Sequence, residues 1–337
     1  MADYPQVQKI KSIIDAANKI VIVQADNPDG DSVASSLALE HILGDMGKEI
    51  VLYCGVDLPG YLKYLPGSDR VVNSLPSSFD ASIVVDTSSD ILLEQLDKTR
   101  TKSWLASKPC IVIDHHATAP TISFATVMCN VAAVSTGEVI YEIANQLKWE
   151  INQEAKKLIA ISILSDSMGL TAEATTSRSV HIIAELVEGG ISLAEIENAR
   201  RETMRREPEL IAYKGQLLQR VEFHDNNRIA MLSIPWEEIE KYSALYNPPM
   251  LVIDDMRLAK NTDIAICFKL YPGGKITAKI RANYGSGIAG QLAEHFGGGG
   301  HAYASGFKIT DGRPLDELKA ETIKITSELL DKKSADK

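Results

Sequence analysis

The sequence predicts an α/β protein: a mostly parallel sheet with flanking helices, joined by a linker helix to a smaller C-terminal α+β domain. Three observations predict it. Short β-branched runs alternate with segments of helical spacing through the first half. Several of these runs end in Asp or His. After a charged helical stretch the pattern changes to separated strand candidates with hairpin-turn chemistry. The expected boundaries are 1–190 for the first domain, 191–215 for the linker helix and 216–330 for the second domain. A chain of 337 residues is long enough for two cores.

Residues 19–23 form the first β-branched run, followed by the turn-rich Asn27-Pro28-Asp29-Gly30-Asp31. Residues 32–46 carry Val33, Leu37, Leu39, Ile42 and Leu43 at helical spacing. Residues 49–53 and 82–85 read as strands, the latter ending at Asp86. Residues 109–113 read as another, ending at Asp114. Helices are expected over 135–146 and 152–165. The stretch containing Ala199-Arg200-Arg201-Glu202 and Arg205-Arg206-Glu207 reads as the linker. Beyond it, 229–234, 250–253, 264–270 and 275–280 are strand candidates, with a hairpin turn at Tyr271-Pro272-Gly273-Gly274. The tail from 331 onward is polar.

Apolar content of 45% and charged content of 24% are ordinary for a globular protein. The net charge of −10 argues against a broad basic surface for long duplex nucleic acid. It leaves room for a small phosphorylated substrate, because a local pocket with bound cations overrides the net field. Cys54, Cys110, Cys129 and Cys267 are dispersed, without a C-x-x-C pair, and read as buried thiols in a reducing compartment. Neither a basic n-region with an apolar stretch nor a run of about 18 apolar residues occurs, so a signal peptide or membrane span is not expected. The expected location is the cytoplasm. A homodimer is compatible with the sequence.

Four segments place acids or histidines after apolar runs: Asp29-Gly30-Asp31, Asp86, Asp114-His115-His116 and Asp166. Any one such carboxylate serves equally well as a helix cap or turn residue. Four together are harder to explain that way, since gathered carboxylates repel unless cations sit among them. A mixed Asp/His set suits Mn²⁺, with Mg²⁺ or Co²⁺ as alternatives. One or two such ions activate water and neutralise a phosphoryl group. In the second domain, Gly298, Gly299 and Gly300 let backbone N–H groups approach an anion, His301 adds a polar contact, and Arg281 can fork onto a phosphate. A glycine run alone also reads as a flexible loop. Tyr61 and Tyr64 could stack on a base or simply anchor a loop. Arg200, Arg201, Arg205 and Arg206, interleaved with acids, read first as a solvated helix face.

In order and spacing, Asn27–Asp31, Val85-Asp86-Thr87-Ser88, Asp114-His115-His116, Ser135-Thr136-Gly137-Glu138, Ser165-Asp166-Ser167 and Gly297–Gly306 resemble the DHH phosphoesterases with an associated C-terminal substrate-binding domain. Within them the nanoRNA phosphatases/oligoribonucleases are most similar. The resemblance implies that Asp29 binds a first metal, Asp31 a second, and Asp86 bridges both. His115 and Asp166 would complete the second site. His116 would lie beside the scissile phosphate, with Asp114 orienting the histidines. Arg281, His301 and the glycine segment would hold the terminal phosphate or far nucleotide. Ser135 and Thr136 would cap a helix or touch substrate. The implied activity is metal-dependent hydrolysis of nanoRNA, pApA or pAp. The alternatives are an inorganic pyrophosphatase or polyphosphatase, or a nucleotide-binding relative with weakened catalysis.

Two positions depart from the family pattern. Ala25 stands where the motif has a histidine, four residues before Asp29. Water, Gln24 or Asp26 could replace that ligand; the enzyme could run on one tightly bound metal; or the protein could bind without hydrolysing. Thr171 stands where the family often has an arginine after Asp166, which weakens the transfer of substrate contacts to that loop.

Overall fold

Apolar runs with no polar face make the central strands of this protein, and each is buried along nearly its whole length. A computed structural model describes residues 4–335 and divides the chain into two units, Met1–Arg205 and Arg206–Lys337. The first contains α1 (Val7–Ala16), β1 (Lys19–Gln24), α2 (Gly30–Asp45), β2 (Glu49–Cys54), β3 (Ala81–Val85), α3 (Glu94–Lys98), α4 (Lys102–Ala106), β4 (Cys110–Asp114), β5 (Val127–Asn130), α5 (Thr136–Leu147), α6 (Gln153–Asp166), α7 (Ser177–Glu188) and α8 (Leu193–Met204). All strand pairs are parallel, in the order β2-β1-β3-β4-β5. Ile20, Ile22, Ile83, Val85, Ile111 and Ile113 pack on one face with α1, α2, α5 and α6. Val21, Val23, Val84 and Val112 pack on the other with Leu96 of α3 and Leu105 of α4. The strand order reverses between β1 and β3. The carboxyl ends of strands at such a reversal are where open α/β sheets bind ligands.

The second unit contains α9 (Pro208–Gln219), β6 (Glu222–His224), β7 (Ile229–Ile234), α10 (Trp236–Tyr242), α11 (Pro249–Arg257), β8 (Ile264–Leu270), β9 (Ile276–Ala282), α12 (Ala289–His295), β10 (Gly299–His301), β11 (Ala304–Ile309) and α13 (Leu315–Ala335). Its sheet runs β10-β11-β9-β8-β7-β6. Only β7 and β8 are parallel; the other pairs are antiparallel. Among the described residues no helix is long and apolar enough to cross a membrane.

The fold class read from the sequence stands, with three corrections. Residues 250–253 are helical, within α11, because Pro248 and Pro249 open a helix. Leu251, Val252 and Ile253 are all buried there, and a short, all-buried apolar run has no period to separate helix from strand. In place of one helix over 191–215 there are two, α8 and α9, broken at Arg205–Glu207 just before Pro208. Residues 299–301 are a strand rather than a flexible loop, paired to β11.

Candidate metal centre

Asp29 caps α2, its side chain accepting from the Ser32 amide at 3.0 Å. That cap starts the helix early enough to place Asp31 in its first turn, wholly buried. Gly30 between them is required by packing. A Cβ there would come 2.2 Å from the Ser165 hydroxyl, so glycine lets the start of α2 meet the end of α6, where Asp166 is the last residue. Asp166 therefore reaches the site from a helix, while Asp86 and the Asp114-His115-His116 triplet reach it from the ends of β3 and β4. Asp86 holds a left-handed backbone, φ 60°, a conformation Asp tolerates better than most residues.

These residues converge on one nitrogen. His115 Nε2 lies 3.3 Å from Asp86, 3.3 Å from Asp166 and 3.5 Å from Asp31. It makes a hydrogen bond of acceptable geometry with none of them. Its Nδ1 sits 3.2 Å from the Ala133 carbonyl, which fixes a tautomer with the proton on Nδ1 and the Nε2 lone pair facing the carboxylates. Three carboxylates and an imidazole lone pair facing one another form a divalent-cation donor set. Asp31, His115 and Asp166 make one such group, and Asp86, His115 and His116 another.

Asp31 is held by several donors at once. The Thr136 amide at the start of α5 donates to it at 2.7 Å, the Ser162 hydroxyl at 2.6 Å and the Ser35 hydroxyl at 2.8 Å. The Thr136 hydroxyl donates to Asp86 at 3.1 Å. The Ser135 side chain caps α5. Ser135 thus takes the capping role, and Thr136 a third role, bracing two acids. Ser35 and Ser162 went unread in the sequence. Serines spaced four apart on α2, and buried inside α6, look like ordinary helix residues until the helices are packed.

The electrostatics follow from burial and crowding. Burial, then the charge of Asp166, raises the pKa of Asp31. Burial, then Asp31, raises that of Asp86 well above the usual carboxylate range. Burial opposes the charge of His115, but the surrounding Asp166, Asp86 and Asp31 prevail and push its pKa up to about 11. A cation taken up here must displace that proton. Metal affinity is therefore expected to strengthen with pH from neutrality upward, by about tenfold per unit for one proton released. Titration calorimetry of Mn²⁺ into chelator-treated protein, in buffers of different ionisation enthalpy, measures this. A pH-independent affinity without proton release would exclude His115 as a ligand.

Beside the donor set, His116 Nδ1 lies 2.8 Å from Asp114 Oδ1, which also accepts from the His115 amide at 2.9 Å. Asp114 is wholly buried, and the His116 side chain is half exposed. The Asp114 hydrogen bond raises the His116 pKa. Both histidines border a cavity of about 390 Å³ that also includes Met128 and Asn130.

Residues 19–164 match the DHH family, N-terminal domain. They form a DHH-family domain. The chain is similar to the bifunctional oligoribonuclease and PAP phosphatase NrnA of Thermus thermophilus, 26% identical over 92% of this chain and 90% of that protein. It is also 30% identical to the A-adding tRNA nucleotidyltransferase of Aquifex aeolicus over 76% of this chain, but that covers only 28% of the longer protein. A solved structure of an exopolyphosphatase-related protein from Bacteroides fragilis superposes with a TM-score of 0.76, covering 97% of this chain and 96% of that one at 23% identity. This last likeness concerns the fold.

Within the DHH domain, Asp29 stands outside both donor groups, although its charge adds to the raised pKa of Asp86. Of the two neighbours of Ala25, Asp26 is engaged elsewhere, its carboxylate accepting from the Gln95 amide at 2.8 Å. Gln24 is wholly buried, and neither of its amide atoms has a hydrogen-bond partner. It ends β1 on the face of Ile20 and Ile22, the face covered by α2, α5 and α6. Tyr61 is exposed, and Tyr64 borders a separate cavity with Arg200, which pairs with Glu197.

In the second unit, the register pairs Arg281 with Ala304 and Ala304 with His301, so these three share one sheet face. Lys279, Gly306 and Gly299 form the next row on that face. A Cβ on Gly298 would come 2.3 Å from the Gly306 carbonyl, and one on Gly300 2.6 Å from the Ala304 carbonyl. The hairpin itself thus demands these two glycines. At Gly299 a Cβ would meet nothing.

Proposed function

We propose that this protein is a metal-dependent phosphodiesterase/phosphatase that hydrolyses short oligonucleotides or small nucleotides, with nanoRNA, pApA and pAp as its substrate class. The observation that carries the reading is the convergence of Asp31, Asp86 and Asp166 on His115 Nε2. Similarity to NrnA over nine-tenths of both chains supports the substrate class. The oxygen-rich donor set favours Mn²⁺, with Mg²⁺ or Co²⁺ as substitutes. A divalent cation there supplies water activation and charge neutralisation at phosphorus.

Asp31, His115 and Asp166 would hold the second ion, and Asp86 would bridge toward the first, beside Asp29. His116, aligned through Nδ1 by Asp114, holds a proton at Nε2 for the departing oxygen. Arg281 and His301, with the Gly299 amide, take the substrate's far phosphate. The buried free cysteines suit a reducing, cytoplasmic setting.

Gln24 is the residue we assign to the first ion in place of the family histidine, as an amide-oxygen donor or through water. Metal counting is expected to give weaker occupancy of the first site than of the second. Ala25→His should raise it and Gln24→Ala lower it. Occupancy unchanged in both variants would contradict this assignment.

The substrate class is tested by comparing pAp and pApA with pyrophosphate in Mn²⁺. Turnover of the nucleotides and not of pyrophosphate is expected. The reverse preference would favour the pyrophosphatase reading.

A further inference from the structure

The second unit carries aromatic surface that the hydrolytic chemistry does not use. Tyr284 is 96% exposed and Tyr303 is 44% exposed. Their ring centroids lie 6.4 Å apart with planes only 15° from parallel. One exposed tyrosine needs no explanation, but two near-parallel rings on adjacent turns form a surface. Their separation is close to two steps of base stacking, about 7 Å, rather than one.

Both rings stand on anchored backbone. Tyr303 lies in the turn between β10 and β11, and its carbonyl accepts from the Ala282 amide at 3.0 Å. Its ring packs over Gly287, about where a side chain there would begin. Tyr284 follows Asn283, whose side-chain amide donates to the carbonyls of Arg257 and Thr262 at 2.7 and 2.8 Å. The Ser286 hydroxyl donates to the Asp263 carbonyl at 3.0 Å.

Unneutralised positive charge lies alongside. Arg281 precedes Ala282 on β9, and the hydrogen bond it makes goes to the backbone carbonyl of Ile280. Lys279 shares its sheet face. Burial, then the like charges of Arg281 and Lys269, lowers the Lys279 pKa. Among the described residues, no carboxylate pairs with Arg281 or Lys279.

We propose that Tyr284 and Tyr303 form a stacking platform for the nucleobase of a bound nucleotide whose phosphate is taken by Arg281 and Lys279. The proposal rests on the nucleotide-hydrolase reading and adds a base-holding site within the second unit. Stacking accepts every base, because each offers a π-face. The platform therefore favours nucleotides over inorganic phosphates without selecting sequence.

The test is calorimetric binding of AMP and of ribose 5-phosphate, which lacks the base, to the full-length chain. Wild type is expected to bind AMP on the order of tenfold tighter than ribose 5-phosphate. Tyr284→Ala and Tyr303→Ala should each reduce that preference and leave ribose 5-phosphate binding unchanged. Tyr284→Trp, which keeps a stacking ring, should retain it. Arg281→Ala should weaken both ligands together. Equal wild-type affinity for the two ligands, no AMP binding, or a preference that survives both alanine variants would overturn the proposal. AMP release from pApA, measured separately, distinguishes the two failures. Turnover without base preference removes the platform and keeps the hydrolase; base preference without turnover does the opposite.

Discussion

Asp86→Asn is expected to lower turnover of pApA on the order of a thousandfold or more, with the thermal midpoint unchanged or higher. Asp86 is almost wholly buried and lies close enough to Asp31 to be raised by its charge. Removing one of two mutually repelling carboxylates relieves the metal-free fold, while the donor set loses its bridging charge. Asparagine is the informative replacement. It tolerates the left-handed backbone at this position and keeps an oxygen for the Thr136 hydroxyl, whereas alanine at positive φ adds strain of its own. Kinetics, melting and metal content on one preparation separate the effects. Retained turnover would refute the bridging role.

The second large effect is expected at His116. His116→Ala should lower kcat by about 10²- to 10⁴-fold, the usual contribution of a positioned acid or base, with metal content close to wild type. Asp114→Asn should cost less, about 10- to 100-fold, and should also change the pH profile. Asp114 raises the His116 pKa through its hydrogen bond. An acid must be protonated to act, so activity falls as pH rises through that pKa. Weakening the hydrogen bond lowers the pKa, and the alkaline limb should move to lower pH. A limb that stays in place in Asp114→Asn would mean that His116 is not the acid.

Much of this arrangement was legible before any coordinates, for a physical reason. Asp86 and Asp114 end short apolar runs that have no other way to satisfy a buried charge, and parallel strands deliver their carboxyl ends to one edge. The participation of Asp166 was also legible, although it arrives on a helix. What the sequence hid depends on packing between segments far apart in the chain. Ser35, Ser162 and the Thr136 amide come from three helices, and their convergence on Asp31 has no local signature. Gly30 reads as a turn residue, yet its constraint is the Ser165 hydroxyl more than a hundred positions away. The segment at 250–253 was misread because full burial erases the period that separates strand from helix. The Tyr284–Tyr303 pair was invisible for a similar reason, since only the β9–β11 pairing brings the two turns together.

The central claim is that the side chains gathered around His115 form a hydrolytic metal centre. Release of AMP from pApA tests it most directly, measured with Mn²⁺, with Mg²⁺, with Co²⁺ and after chelation, on wild type and on Asp86→Asn. The account predicts turnover by wild type in at least Mn²⁺, its loss on chelation and recovery on Mn²⁺ return, and no comparable turnover by Asp86→Asn. Wild-type protein that binds the ions and pApA yet releases no AMP with any of them would contradict it.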